Sequence, residues 1–382
     1  MRIMKSILTL ISTLFVFGTP IVQAEDRPNF IIVYVDDLGW ADTSVPMMIS
    51  DPDSASDFNQ TPHLEKLAQR GMVFSNAYAP APTCTPSRKS IQFGKTPGRL
   101  GYTFVHDVLA LQKELSWEDE LSLADVVKAA DADYVTAHFG KGMGGDRMDT
   151  IGYDVTDEVD GNSTNGNFHG EYLSLKNRES LPSDNPKRMA SLEKSSLEFI
   201  NEYGGKRPFF MMVSHYAVHV PHAARPDLIE KYRKLPRGKY LEDDDYLPED
   251  QISESRKISH WRLQYAAMLD EVDQGLGAIM AAVKKTGQQD NTFIIFTSDN
   301  GGGLNPNGTL RGGKANLYEG GLRVPFVVAG PGVRSGVQCD VAINQWDLLP
   351  TFHDYAGNEQ ALPENLDGGS LRPVFEFGNN AK

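Results

Sequence analysis

Two pairs of adjacent polar residues follow apolar, strand-length segments of the chain. Asp36 and Asp37 come directly after the apolar run Phe30–Val35, and Asp299 and Asn300 follow a second such run. In an open α/β sheet, the carboxyl ends of buried parallel strands face the crevice in which ligands bind. Neighbouring carboxylates repel each other, and a hard cation such as Ca²⁺ or Mg²⁺ relieves that repulsion. Either pair alone is equally compatible with a polar turn, but the two together predict a metal site.

A third cluster, Cys84-Thr85-Pro86-Ser87-Arg88, places a thiol four residues before an arginine. Pro86 and Ser87 favour a helix start, which would place Cys84 at the positive end of a helix dipole. Backbone N–H groups at such an end bind anions, and Arg88 adds a fixed cation. A buried structural cysteine beside an ion-paired arginine is the commoner explanation when this pattern stands alone. The other motifs of the chain decide between the two interpretations.

The chain resembles the type I (formylglycine-dependent) sulfatases of the alkaline-phosphatase-like superfamily. Cys84–Arg88 matches that family's Cys-x-Pro-x-Arg signature. The other matching segments, in the family's order, are Asn29–Gly39 (first strand and metal loop), Phe139–Gly144 (Gly-Lys-Trp-His segment), Ala217–Pro221 (His-x-Pro turn), Ser298–Gly301 (second metal loop), Arg311–Pro325 (Lys-bearing loop), Trp346–Gly357 (late helix) and Asp367–Leu371 (following turn). The resemblance covers the chain from Asn29 to Phe375.

The resemblance implies a modified nucleophile and a bound cation. In this family the motif cysteine, here Cys84, is oxidised by a dedicated maturation enzyme to Cα-formylglycine, whose hydrate attacks sulfur. One oxygen of modified residue 84 contributes to a calcium site, with Mg²⁺ the less favoured ion. The resemblance assigns the remaining calcium ligands to Asp36, Asp37, Asp299 and Asn300.

The resemblance also implies roles for four further residues. Arg88 orients the formylglycine, and Lys141 and Lys314 bind the sulfate as its charge shifts toward the leaving oxygen. His219 contacts the scissile ester oxygen and protonates the departing alcohol. One position departs from the family pattern, since the His of the Gly-Lys-Trp-His segment is missing two residues after Lys141. Either Met143 replaces it, or one residue is deleted and the loop is shorter. The family assigns to that His the proton removal that releases sulfate.

These implications predict an exported hydrolase that removes sulfate from a sulfated carbohydrate of the polysaccharide or glycosaminoglycan type. One alternative is a phosphodiester or phosphonate hydrolase of the same superfamily, since some of those enzymes also carry Cys-x-Pro-x-Arg. The sequence shows no second His and Asp metal cluster to support it. Another alternative is a catalytically impaired, sulfated-glycan-binding homologue, suggested by Met143. The four intact residues Cys84, Arg88, Lys141 and Lys314 weigh against that alternative.

The composition and the first residues of the chain indicate in which cellular compartment the protein acts. The 382 residues carry a formal net charge of −14, which makes nucleic acid an unfavourable partner. Met1–Ala24 has the basic start, short apolar core and small-residue end of a secretory signal peptide, and its apolar run is too short to span a membrane. We therefore predict a periplasmic or secreted protein. Cys84 and Cys339 could form one disulfide, although a chain of this length does not need it.

The elements that must position these residues alternate between strands and helices. This alternation predicts a large, mostly parallel mixed sheet sandwiched by helices, an α/β fold of alkaline-phosphatase-like type. Besides Phe30–Val35, the predicted strands are Tyr134–Phe139, Phe209–Ser214, Phe293–Thr297 and Val324–Ala329. The predicted helices begin at Pro62 and Pro86 and cover Asp119–Ala130, Met189–Tyr203, Arg256–Lys285 and Gln345–Ala356.

Residues 25–357 are predicted to form the catalytic domain, and 358–382 a loop-like remnant of a truncated C-terminal subdomain. Two polar segments, Asp157–His169 and Lys231–Glu254, are predicted to be loops that shape the sugar subsites. The second carries a basic cluster that could bind further sulfates, although a solvated surface run is the commoner explanation. The members of that cluster are Lys231, Arg233, Lys234, Arg237 and Lys239.

Overall fold

The computed structural model of the protein describes residues 27–105, 117, 119–144, 147–157, 166, 181–239, 261–303 and 307–381. The predicted signal peptide and most of the predicted loop Asp157–His169 lie outside these ranges, as do residues 240–254 of the second loop. In the ranges that are described, no helix has both the length and the apolar character needed to cross a bilayer.

A mostly parallel sheet forms the centre of the molecule. The strands are β1 (Asn29–Val35), β2 (Met72–Phe74), β3 (Ala77–Tyr78), β4 (Val135–Gly140), β5 (Val155–Thr156), β6 (Phe209–Ser214), β7 (Thr292–Ser298), β8 (Phe326–Ala329), β9 (Val337–Cys339) and β10 (Ile343–Asn344). Within the described residues, eight of them form one sheet in the order β5-β4-β6-β1-β7-β8-β2-β9. Only β8 runs antiparallel to its neighbours in that sheet. Strands β3 and β10 form a separate parallel pair.

Helices cover both faces of the sheet, as predicted. They are α1 (Pro62–Arg70), α2 (Cys84–Phe93), α3 (Leu123–Ala130), α4 (Met189–Tyr203), α5 (Pro226–Arg233), α6 (Trp261–Lys285), α7 (Glu319–Leu322), α8 (Leu348–Tyr355) and α9 (Arg372–Phe377). On one face, Ile31 and Val33 of β1 pack in a core with α1, α4 and α6. On the other face, Phe30 and Ile32 pack in a second core with α2, α3 and α8. The alternating side chains of β1 are therefore buried on both sides, which explains its continuous apolar sequence.

Several predicted boundaries are wrong by a few residues. Helix α3 begins at Leu123 rather than Asp119, because Ser122 and Asp125 form a capping box that fixes its start. The predicted loop from Lys231 begins inside α5, where Lys231 forms an ion pair with Asp270. The segment after residue 357 is not entirely loop-like, since α9 places Phe375 in the second core.

The ion pairs of the basic cluster favour the surface explanation over sulfate binding. Besides the Lys231–Asp270 pair, Arg233 pairs with Glu230 and Lys239 with Asp53. The two cysteines are both buried and unpaired with each other, so the optional disulfide is not formed.

The strand register brings the predicted site residues to one edge of the sheet. Val35 of β1 lies opposite Ser298 of β7, so the acids that follow these two strands are neighbours across the sheet. Strands β4 and β6 end at the same edge, with Gly140 opposite Ser214. Lys141 follows β4 directly. Residues widely separated along the chain therefore converge at the carboxyl ends of four parallel strands.

Candidate active site

The acids after β1 and β7 form one buried cluster. The backbone N–H of Asp37 donates to Oδ1 of Asp299 at 3.1 Å, and Nδ2 of Asn300 donates to Oδ1 of Asp37 at 2.9 Å. Asp37 adopts φ 62°, a left-handed conformation that is uncommon outside glycine. This turn lets both Asp36 and Asp37 contribute to the same cluster. Such local strain persists where surrounding contacts fix it, and it is concentrated at functional sites.

Cys84 is the first residue of α2 and lies within this cluster. Its Sγ and a carboxylate oxygen from each of Asp36 and Asp299 lie within 4.8 Å of one another. The side chain is 4% exposed, and the helix that begins there points its positive end at the acids. The predicted position of Cys84 at the positive end of a helix is confirmed, although the helix begins at Cys84 itself, two residues before the predicted start at Pro86. The position of Cys84 beside the carboxylates of Asp36 and Asp299 distinguishes it from Cys339, which lies in the second core.

Arg88, which lies on the same helix as Cys84, connects that helix to the acids. Its Nη2 and Nε lie 2.7 and 2.8 Å from Oδ2 of Asp299, and its Nη1 donates to Oγ of Ser214 at 2.5 Å. Ser214 in turn donates to the backbone carbonyl of Lys141 at 2.6 Å. The guanidinium also lies over the ring of Tyr34, 5.1 Å from its centroid. These contacts fix the position of the arginine, which is only 2% exposed.

The three remaining predicted residues surround the two adjacent acids. Lys141 Nζ lies 2.5 Å from Oδ2 of Asp36, and Lys314 Nζ lies 2.6 Å from Oδ2 of Asp37. Nε2 of His219 lies 3.6 Å from the same oxygen of Asp37. Together with the cluster above, the structure brings all nine sequence-predicted site residues into one place. These residues could be predicted from the sequence because they follow predicted strands or lie in loops that match the family's motifs.

Burial and charge shift the protonation of these groups in different directions. Burial opposes ionisation of Asp36, but the neighbouring cations, foremost Lys141, outweigh it and hold the pKa of Asp36 well below its ordinary value. Burial raises the pKa of Asp299 against the opposing effect of Arg88. For Lys314, burial is outweighed by Asp37, which raises the pKa of the ammonium. Burial lowers the pKa of His219 despite the nearby acids.

The donor set fits a hard divalent cation. Oδ1 of Asp36 and Oδ1 of Asn300 are both buried and accept no hydrogen bond within the described part of the chain. Buried polar oxygens are normally satisfied, so two such oxygens in one acidic cluster require an explanation. Carboxylate and amide oxygens are the ligands of Ca²⁺ and Mg²⁺ in proteins. A cation bound here would satisfy both atoms.

Two observations go beyond the sequence-based predictions. Met143, at the position of the family's His, is 1% exposed and packs in the second core, so it does not line the acid cluster. Asn307 is a site residue that the sequence did not reveal. Its Nδ2 donates to the carbonyls of Gly302 (3.2 Å) and Gly312 (3.0 Å), which joins the loop after Asn300 to the loop that carries Lys314.

The comparison with family models identifies this arrangement. The sulfatase family model matches residues 28–358, which is most of the chain. The chain belongs to the sulfatase family. This membership makes it a sulfuric ester hydrolase, and the alkaline-phosphatase-like fold predicted from the sequence is confirmed.

Similar sulfatases come from both bacteria and humans. A sulfatase of Formosa agariphila is 27% identical, with 96% of this chain and 75% of the relative covered. Human arylsulfatase A is 27% identical, with 91% and 68% covered. An ulvan-active sulfatase of Formosa agariphila is 27% identical, with 92% and 65% covered.

Solved structures of similar fold include a glycan complex. The crystal structure of Ps i-CgsB in complex with k-i-k-neocarrahexaose has a TM-score of 0.71 and 26% identity, with 91% of this chain and 76% of that chain covered. The phosphonate monoester hydrolase of Agrobacterium radiobacter has a TM-score of 0.66 and 20% identity, with 92% and 78% covered. That second likeness concerns the fold alone, so it does not favour a phosphonate substrate for this sulfatase.

Proposed function

We propose that this sulfatase removes sulfate from a sulfated carbohydrate, using Cys84 converted to formylglycine and a bound calcium ion. The observation that carries the proposal is the position of Cys84 at the start of α2, within 4.8 Å of oxygens of Asp36 and Asp299. A sulfated glycan is supported by the relatives, which include an ulvan-active sulfatase and the neocarrahexaose complex. An exported protein, with residues 1–24 as signal peptide and 25–357 as catalytic domain, belongs to the same proposal.

The proposed nucleophile explains why a cysteine occupies this place. The hydrate of formylglycine would supply a geminal diol that attacks sulfur and later expels sulfate by returning to the aldehyde. A serine at the same position would retain a stable sulfate ester. Calcium, held by Asp36, Asp37, Asp299 and Asn300, would neutralise a sulfate oxygen and favour the ionised hydrate.

The residues around the acids would handle the charge of the substrate. Lys141 and Lys314 lie on either side of the adjacent acids, so their ammonium groups would contact the sulfate and stabilise the charge that develops on the leaving oxygen. Arg88 is fixed by three hydrogen bonds and a close ion-pair contact, and it holds Asp299 and the end of β4 in place. It would keep the modified residue in a single orientation.

His219 would act on the leaving group. Its turn is joined to the end of β1 by two backbone hydrogen bonds, from Asp36 to Ala217 and from Val218 to Asp36. Nε2 is thereby held at the edge of the acid cluster, where the alcohol would depart. A protonated imidazole there donates its proton to the ester oxygen as the bond to sulfur breaks.

Mass spectrometry of residue 84 tests the nucleophile directly. The full chain is produced with and without a formylglycine-generating enzyme, and the two cysteine peptides are compared. We expect the Cys84 peptide to lose mass as CH₂SH becomes CHO, and to react with a hydrazine probe. Cys339 lacks the Pro and Arg of the motif and serves as the internal control, which must remain a thiol. An unmodified Cys84 in the competent host would refute the formylglycine mechanism.

Activity measurements then separate the candidate reactions. The modified protein is assayed with 4-methylumbelliferyl sulfate, a phosphate diester and a phosphonate ester, with and without a calcium chelator. We expect sulfate ester hydrolysis to dominate, and the Cys84→Ala variant to lose it by more than about 10³-fold. Equal or higher rates on the phosphorus esters would support the alternative reaction of the superfamily.

A further inference from the structure

An exposed arginine lies flat on an aromatic ring beside the site. The guanidinium carbon of Arg311 is 3.8 Å from the ring centroid of Tyr318, and both side chains are exposed. Among the described residues, no carboxylate forms an ion pair with Arg311. The nearest acid along the chain, Glu319, pairs with Arg323 and accepts a hydrogen bond from Tyr78 instead. The guanidinium edges of Arg311 are thus available to an oxyanion.

The loop that carries this arginine is fixed close to the catalytic centre. The carbonyl of Arg311 accepts from the N–H of Gly320 at 2.9 Å, and the N–H of Lys314 donates to Gly302 at 3.1 Å. The N–H of Ala315 donates to the carbonyl of Pro82, two residues before Cys84, at 2.7 Å. Three residues of chain span at most about 11 Å, so the Cα atoms of Arg311 and Lys314 are no farther apart than about two sugar units.

We propose that Arg311 and Tyr318 form a second oxyanion subsite, which recognises a further sulfate or carboxylate on the glycan near the scissile ester. This inference rests on the proposed function and specifies its substrate class as a glycan that carries more than one anionic group. A guanidinium binds sulfate and carboxylate through two parallel N–H donors, which an ammonium does not reproduce. Stacking on Tyr318 fixes the orientation of the Arg311 guanidinium before the anion binds, so little side-chain entropy is lost on binding.

Binding to the full chain tests the subsite without depending on turnover. The Cys84→Ala background is titrated calorimetrically with two matched pairs of tetrasaccharides, from carrageenan and from chondroitin sulfate. Each pair differs by one sulfate per disaccharide. We expect tighter binding of the doubly sulfated member of at least one pair. Adding Arg311→Met is expected to reduce that preference about tenfold, and Arg311→Lys to restore only part of it.

Three further variants control the interpretation. Arg372 also lies over a tyrosine ring, that of Tyr355, but it pairs with Asp354 and Glu376. Arg372→Met should leave the preference unchanged. Tyr318→Phe keeps the ring and should preserve the preference, whereas Tyr318→Ala should weaken it.

The outcomes distinguish this inference from the proposed function. If none of the four glycans binds, or if Arg311→Met leaves the preference intact, the subsite is refuted. A wild-type protein that hydrolyses aryl sulfate in the same series would still support the sulfatase mechanism. Conversely, an Arg311-dependent preference in a protein that hydrolyses no sulfate ester would support the subsite and refute the mechanism.

Discussion

Arg88 is the residue on which the charge balance of the site depends most. It is almost completely buried and makes two contacts below 3 Å with Asp299, whose own pKa is raised by burial. Breaking a buried ion pair by removing one partner leaves the other charge without compensation, which costs more than the pair contributes when intact. This asymmetry sets Arg88 apart from the many exposed arginines of the chain.

We therefore predict that Arg88→Met lowers the free energy of unfolding by about 3–5 kcal/mol in calcium-free buffer. Urea denaturation followed by fluorescence measures the change. Arg99→Met is the matched control, because Arg99 also makes a two-pronged pair, with Asp367, but its side chain is 47% exposed. The control should lose far less, because solvent screens an exposed ion pair. Equal losses in the two variants would contradict the assignment of a buried, coupled pair.

For Asn307 we predict a positioning role, because it joins two loops of the site. Its amide nitrogen bridges two loop carbonyls, and its removal would let the Lys314 loop separate from the loop after Asn300. We predict that Asn307→Ala raises KM for an aryl sulfate, and that this fold-change is about ten times the fold-decrease in kcat. The reason is that the variant weakens substrate binding by Lys314 before it affects the chemical step. Asn307→Gln, which retains the donor, should recover part of the loss. A variant with unchanged KM would show that the bridge has no part in positioning.

Among the secondary-structure elements, α6 shows how a helix can bury a titratable group without a partner. Glu271 faces α4 and is 6% exposed, and its Oε2 is buried with no hydrogen bond in the described part of the chain. Burial raises the pKa of Glu271 from 4.5 to about 8, partly opposed by Arg225. The folded state therefore holds this proton more tightly than the unfolded state does.

The sign of the pH dependence follows directly. The stabilisation by the proton on Glu271 is fully present below pH 4.5 and is lost as the pH rises through about 8. Glu271→Gln carries no charge to bury, so it should be more stable than the wild type at pH 9, on the order of 2–4 kcal/mol, with little difference at pH 4.5. Urea denaturation at both pH values measures this. The exposed Glu198 of α4 supplies the control Glu198→Gln, and a similar pH effect in both variants would contradict the prediction.

The elements also show what the sequence could and could not predict. Strands β1, β6 and β7 were predictable because each is a continuous apolar run buried on both faces. The start of α1 at Pro62 was predictable too, but its cap was not. The side chain of Thr61, the residue before Pro62, makes no capping bond, and Asp273 of α6 accepts from the N–H groups of His63 and Leu64 instead. A cap supplied from a distant helix leaves no local signal.

The same reasoning applies to the site. Residues at strand ends and in matched loops were found, because the parallel topology places them together. Ser214 was missed because it donates to the carbonyl of Lys141, which is distant in sequence. Asn307 was missed because its bonds to the carbonyls of Gly302 and Gly312 depend on how the loop folds back on itself. Met143 was recognised as a departure, but its burial in the core depends on packing that the motif does not encode.

At the scale of the whole molecule, the acid cluster is a junction between the two halves of the chain. Strands β1 and β7 are separated by most of the sequence, yet Asp37 and Asn300 meet directly at their ends. Without a cation, the junction brings together carboxylates in a protein that already has a net charge of −14. A ligand that binds only the folded state adds to its stability in proportion to the logarithm of its concentration.

Calcium should therefore stabilise the entire fold and not only the catalytic loops. At a calcium concentration about one hundred times its Kd, the free energy of unfolding should increase by about 2.7 kcal/mol, and a chelator should reverse the gain. Asp37→Asn removes one ligand charge and should abolish most of the increase. Asp154→Asn, on the outer edge of the sheet beside β5, should retain it. Thermal unfolding of the three proteins across a calcium series measures these changes. A calcium effect of undiminished size in Asp37→Asn would place the ion elsewhere, because this variant removes one of the carboxylates that would bind it.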